Sequence, residues 1–255
     1  DAINDKAGAA YTTWSYRWLN AFTGSLIPLV IVGIGYQLTR RFQYAFLAGL
    51  LVGLDGLLLV ESRYALNNVY LLLFGLSGWW FFLIALDRRS PFQRSIWLVF
   101  AGIAFGASAS IKWNGLWFLL GTIGLWFIAW LLHWLQRIRP PSEHLEPIAA
   151  DLDSTSSPVW LSPLSRMTRI QWWQVALYLG IVPAVLYWLI WIPHLQLNPK
   201  DTFWGLQYQI LTYHQQVGSG PDVHPYCSTW YSWLVMQRPV AYFYQVTRLG
   251  DPLPT

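Results

Sequence analysis

Two cations stand where an apolar chain has little use for them. Arg63 lies in Glu61-Ser62-Arg63-Tyr64-Ala65-Leu66-Asn67-Asn68 and Lys112 in Ser110-Ile111-Lys112-Trp113-Asn114-Gly115, each a short polar break between long apolar runs. A guanidinium fork grips a phosphate through two parallel N–H bonds, and a Lys ammonium serves as a movable point charge, so the pair suits an anionic ligand. The alternative for each is an interfacial anchor, with Arg63 snorkelling along its helix end and Lys112-Trp113 forming part of an aromatic belt. Glu61 and Asn114 share the two breaks and join them as candidate contacts. Asp55, in Leu54-Asp55-Gly56-Leu57, is the one acid inside an apolar run. An ionisable group there costs about 2.5–3.5 kcal/mol on insertion scales, which predicts that it faces a bundle interior beside a partner, with Arg63 or Lys112 in reach. It either fixes helix packing or belongs to the same site.

A third group is the run Asp222-Val223-His224-Pro225-Tyr226-Cys227-Ser228-Thr229-Trp230-Tyr231-Ser232-Trp233. Aromatic faces such as Trp230 and Trp233 stack on a sugar ring, while His224, Tyr226 and Ser228 offer hydrogen bonds to a hydroxyl or phosphate. The other reading is a loop resting on the membrane surface with its rings at headgroup depth.

The elements that position these residues must be membrane helices. Only 11% of the 255 residues are charged and 55% are hydrophobic, with a mean hydropathy of +0.35; an ordinary soluble domain is roughly 25% charged. The 18 Trp, paired at Trp79-Trp80 and Trp172-Trp173, fit headgroup depth. The net charge of +4 is spread over connections without a basic stripe, which argues against nucleic acid. Cys227 is the sole cysteine, so no intrachain disulfide or thiolate cluster forms, and His133, His144, His194 and His214 show no metal-ligand spacing. No cofactor is evident, and a divalent-cation requirement is left open by these residues. The chain has no P-loop, nucleophile elbow or dinucleotide fingerprint, so ATP-driven transport has no support.

A crossing helix needs roughly 20 mainly apolar residues. Six stretches approach this: 18–39, 43–60, 69–87, 96–111, 114–135 and 172–194. The fourth is rich in Gly, Ala and Ser, which predicts a central, closely packed helix. Alternate connections hold Arg40, Arg41, Arg88, Arg89, Arg94, Arg137, Arg139, Arg166 and Arg169, whereas the others hold only Arg63 and Lys112. The Arg-rich set is therefore assigned to the cytoplasm, placing Arg63, Lys112 and both chain ends outside. The expected plan is an all-α polytopic membrane bundle: an external segment (1–17), five spans (18–135), a cytoplasmic linker (136–171) that is flexible over 140–165, a sixth span (172–194) and an external aromatic region (195–255). Within the last, Thr202 to Gln216 is expected as an interfacial helix.

Read together, Trp14-Ser15-Tyr16-Arg17-Trp18-Leu19-Asn20-Ala21-Phe22-Thr23-Gly24-Ser25, Asp55 followed by Glu61-Ser62-Arg63, Ser110 to Gly115, and His224 to Trp233 with Arg238-Pro239 resemble the protein O-mannosyltransferase family, specifically its bacterial members. The resemblance implies a GT-C type glycosyltransferase of the bacterial inner membrane. Such an enzyme transfers mannose from a polyprenyl-phosphate donor to Ser or Thr hydroxyls of an acceptor polypeptide on the external, periplasmic face, with inversion. It also implies that Asp55, Glu61, Arg63, Lys112, Asn114, His224, Tyr226, Ser228, Trp230 and Trp233 contact substrate. One departure bears on catalysis. The family's Asp-Glu pair, which activates the acceptor hydroxyl, precedes the segment matching Trp14–Ser25 and has no counterpart here, so the general base is expected upstream and the catalytic residue is unassigned. Further spans are expected after Thr255, and the fragment alone is expected to be inactive. Two rivals share the scaffold's logic: an aminoarabinose-type transferase with a lipid acceptor, and a transporter of anionic lipids. The first would need more external cations than Lys200, Arg238 and Arg248; the second would favour inverted repeats.

Overall fold

A computed structural model describes residues 13–64, 66–138, 163–216 and Tyr231. These residues form helices and contain no strand: α1 (Thr13–Thr39), α2 (Phe42–Gly53), α3 (Gly56–Arg63), α4 (Asn68–Asp87), α5 (Pro91–Ile111), a 3-10 turn (Trp113–Gly115), α6 (Leu116–Ile138), α7 (Pro163–Met167), α8 (Trp172–Leu197) and α9 (Phe203–Gln216). Five are long and apolar enough to cross a bilayer, and α2 with α3 makes a sixth if the bent pair is one span. The polytopic helical bundle is the architecture that the composition dictates, because a helix satisfies its own backbone polar groups where no water is present.

The helix ends follow local chemistry. Pro91 occupies the first turn of α5, where a missing N–H costs nothing, and Ser90 before it is extended. This draws the start of the helix upstream of residue 96. The stretch 43–60, expected as one continuous span, is instead broken and bent by 55°. Asp55 takes an extended conformation (φ −64, ψ 122) and its carboxylate accepts the Leu58 N–H at 2.8 Å, so it starts a new helix instead of continuing the old one. In α8, a π-helical stretch at Val175–Ile181 precedes Pro183, which cannot donate to the preceding turn.

Packing places α5 at the centre. Leu98, Ala101 and Phe105 are fully buried. The small residues serve close approach, as their abundance predicts: a Cβ at Gly106 would lie 2.8 Å from the Pro183 carbonyl, and one at Gly102 would overlap the Tyr178 carbonyl. A second apolar cluster joins α1, α3 and α4 through Ile27, Leu58 and Val69. Outward-facing Leu29, Leu51 and Phe127 are more than 60% exposed, a surface suited to lipid tails and not to water.

At one end of the bundle the arginines are used structurally. Arg40, whose φ is +57, and Arg166 both pair with Asp87, joining the α1–α2 connection, the end of α4 and α7. Residues 136–171, expected to be a linker, therefore include ordered parts: α6 runs to Ile138, and Met167 and Ile170 are buried in the main core. Trp126 and Trp130 hold the Ile170 carbonyl by indole N–H bonds of 3.0 and 3.4 Å.

The chain divides into two compact units, Asp1–Pro193 and His194–Thr255. In the second, Thr202 Oγ1 accepts the Gly205 N–H at 3.1 Å and starts α9, and His194 Nε2 lies 3.6 Å from Asp201 Oδ2.

Candidate functional site at the arginine-poor end

Helix alternation brings the start of α1, the end of α3, the start of α4 and the end of α5 to the end of the bundle opposite Asp87. Asn20 organises this end. Its side chain is 2% exposed, and its Nδ2 donates to the carbonyls of Glu61, Tyr64 and Leu66 at 3.2, 3.3 and 3.0 Å. The Glu61 carbonyl lies in the last turn of α3 and those of Tyr64 and Leu66 just beyond it, so a buried amide on α1 stands in for the missing next turn. Gly24, one turn further along α1, makes the approach possible: a Cβ there would lie 2.6 Å from that of Ser62. Ser62 in turn donates to the Leu58 carbonyl at 2.6 Å.

Arg63 ends α3 on this fixed ledge and is exposed. Beside it the guanidinium of Arg17 lies 5.8 Å from the centroid of the Tyr64 ring. Glu61 accepts a 3.2 Å hydrogen bond from Asn68 Nδ2, bracing the connection between α3 and α4.

Lys112 sits on a second ledge built differently. Ser108, fully buried, donates from Oγ to the Leu71 carbonyl at 2.9 Å and ties the last turn of α5 to the first turn of α4. The chain then extends at Lys112 (φ −161, ψ 142), and the Lys112 carbonyl accepts the Gly115 N–H at 2.8 Å. Only glycine fits at 115, because a Cβ would overlap the Ser108 carbonyl. Trp113 Nε1 donates to the Tyr187 hydroxyl at 3.1 Å, fastening the turn to α8. Arg63 and Lys112 therefore both adjoin the start of α4.

Ion pairs among the described residues involve neither Arg63 nor Lys112, and both side chains are exposed. Two rigid backbone ledges thus present cations whose charge is not spent on a carboxylate. Asn114 is exposed in the 3-10 turn beside Lys112. Asp55 departs from expectation: it is exposed, caps α3, and stands about 12 Å along the helix axis from Arg63, so it neither faces the interior nor pairs with either cation. Capping relieves the cost that pairing was expected to relieve. His224, Tyr226, Ser228, Trp230 and Trp233 lie outside the described residues.

Reading by residue type missed two members of this end, Arg17 and Asn20. Their signals were present: a cation immediately before the first apolar run and an amide within it.

The sequence matches the family model described as dolichyl-phosphate-mannose-protein mannosyltransferase over residues 1–198. A polyprenol-phosphate-mannose–protein mannosyltransferase of Corynebacterium glutamicum is 25% identical over 277 residues, covering 91% of this chain and 49% of that protein. A protein of the same name from Mycolicibacterium smegmatis is 27% identical over 131 residues, covering 43% of this chain and 25% of its own length. The human protein O-mannosyl-transferase 1 is 26% identical over 226 residues, covering 80% of this chain and 29% of that protein. The chain thus spans about half the length of the Corynebacterium protein. No solved structure gives a significant match.

Proposed function

This chain belongs to the dolichyl-phosphate-mannose-protein mannosyltransferase family, and on that premise we propose that it forms the donor-binding part of an enzyme moving mannose from a polyprenyl-phosphate carrier to protein hydroxyls. The observation that carries the reading is the pair of exposed cations, Arg63 and Lys112, presented from fixed ledges on one end of the bundle without ion-pair partners among the described residues. A lipid-borne donor brings its phosphate to the membrane surface. When the sugar–oxygen bond breaks, negative charge grows on the departing polyprenyl phosphate. Fixed cations there stabilise the transition state more than the ground state.

In this proposal Arg63 grips the phosphate, Lys112 supplies a second charge, and Arg17 with Tyr64 borders the same ledge. Glu61 and Asp55 serve mainly by holding the ledge and bending the chain, and Asn114 contacts the donor beside Lys112. His224, Tyr226, Ser228, Trp230 and Trp233 contact the sugar or the acceptor. The reaction faces the non-cytoplasmic side of a bacterial inner membrane, as the distribution of arginines between connections favours. The hydroxyl of an acceptor Ser or Thr attacks the anomeric carbon opposite the leaving phosphate, so configuration inverts. No residue here is assigned as the base that takes the hydroxyl proton. The relatives' names favour a protein acceptor over a lipid one.

The test is a transfer assay on the full-length protein with polyprenyl-phosphate mannose and a Ser/Thr peptide. Arg63→Ala and Lys112→Ala each lower donor affinity or rate by at least about tenfold, the loss expected for one charge-assisted contact. Stability changes by less than about 0.5 kcal/mol, because both side chains are exposed. Unchanged kinetics in both variants would remove the proposed role of the cations.

A further inference from the structure

The Arg-rich end carries a second group of cations that the Asp87 pairs do not neutralise. Arg94, half-buried near the start of α5, donates to the Arg88 carbonyl just past α4 and to the Arg169 carbonyl before α8, both at 3.2 Å. The bond to the Arg169 carbonyl brings two arginines to one short stretch of chain. The Arg88 guanidinium sits 5.8 Å from the centroid of the Trp97 ring. Ion pairs among the described residues include none of Arg88, Arg94 and Arg169. Three cations at this end therefore have no carboxylate partner among the described residues.

Directly beside this cluster is a groove of about 430 Å³ lined by Trp126, Trp130, Gln171, Trp172 and Trp173. The Ile170 carbonyl, held by the indoles of Trp126 and Trp130, is one residue from the carbonyl of Arg169 held by Arg94. The groove and the arginines are therefore two sides of one short segment. Its lining is apolar apart from Gln171, and Trp172, the first residue of α8, is 74% exposed. Arg94 also holds the carbonyl just past α4, so the cluster adjoins a helix end, where indoles favour headgroups.

We propose that Arg94 and Arg169, with the tryptophan groove beside them, form a binding site for one anionic phospholipid, its phosphate headgroup on the guanidiniums and its upper acyl chain along Trp126, Trp130 and Trp172. Charge complementarity selects the occupant. A zwitterionic lipid brings its own cation to a cluster that has no carboxylate partner among the described residues, whereas a net-negative headgroup supplies the missing counter-charge. The site lies at the opposite end of the bundle from Arg63 and Lys112, so it stands whether or not the mannosyl-transfer reading does.

The experiment is native mass spectrometry of delipidated protein titrated with phosphatidylglycerol or phosphatidylcholine. Wild type retains the first phosphatidylglycerol several-fold more tightly than phosphatidylcholine. Arg169→Gln, at an exposed side chain, reduces that preference about fivefold, and Arg94→Gln does the same, the scale expected for one cation near an anionic surface. Trp172→Ala weakens the retention of both lipids. Lys200→Gln, at an exposed cation assigned to neither site, keeps the preference. Equal retention of the two lipids by wild type overturns the proposal. So does a preference that survives both Arg169→Gln and Arg94→Gln, or displacement of phosphatidylglycerol by equimolar glycerol phosphate, which would mean that the groove contributes nothing.

Discussion

The two ends of the bundle solve the same problem with opposite chemistry. Where α4 ends, helices are joined by charge: Asp87 accepts Arg40 and Arg166, and Arg94 spans two carbonyls. Where α4 begins, they are joined largely by neutral groups: the Asn20 amide on three carbonyls and the Ser108 hydroxyl on a fourth. A cation paired with a carboxylate, as Arg40 and Arg166 are, has little charge left for a ligand. Neutral braces leave Arg63 and Lys112 their charge. On the proposed function, that unspent charge is what lets the arginine-poor end hold the donor phosphate although it has fewer cations.

Three substitutions probe that contrast. The largest effect is expected for Asp87→Ala, which leaves Arg166, a mostly buried side chain, without its carboxylate. Thermal unfolding in detergent should show a loss of about 3 kcal/mol, because removing one partner of a buried pair strands the other charge. A neutral result would mean that charge does not hold this end. Asn20→Ala should cost about 2 kcal/mol by stranding carbonyls at the end of α3. It should also raise the KM for donor in the full-length protein, since Arg63 stands on that ledge. Normal donor affinity in a destabilised protein would separate the brace from the site. Asp55→Ala removes the cap of α3 and should cost about 1 kcal/mol, read from the same unfolding curves. A much larger loss would show that Asp55 makes a buried contact and is not simply a cap.

Much of the bundle is legible from apolar run length, because a stretch such as 69–87 that must bury its backbone polar groups in lipid has one economical answer. The break at Asp55 was harder to foresee. An acid in an apolar run reads equally as a buried ion-pair member or as a cap, and only the backbone conformation of residues 54–56 distinguishes them. Residues 163–171 misled for a related reason. Their polar, proline-bearing approach reads as linker, yet Met167 and Ile170 reach the core, and an anchor of two side chains is too short to give a periodic signal.

The sequence alone determined that this chain is a membrane helix bundle, that its arginines crowd one set of connections, and that Arg63 and Lys112 stand apart from them, because apolar length and charge placement need no partner to be read. Only the tertiary structure decided that Asn20 and Ser108 hold the ledges, that Asp55 caps instead of pairing, and that Arg94, Arg169 and four tryptophans meet around one short segment. Those facts depend on which carbonyls helix ends leave orphaned and which distant side chains arrive to satisfy them, and such meetings between residues far apart in the chain have no local signature.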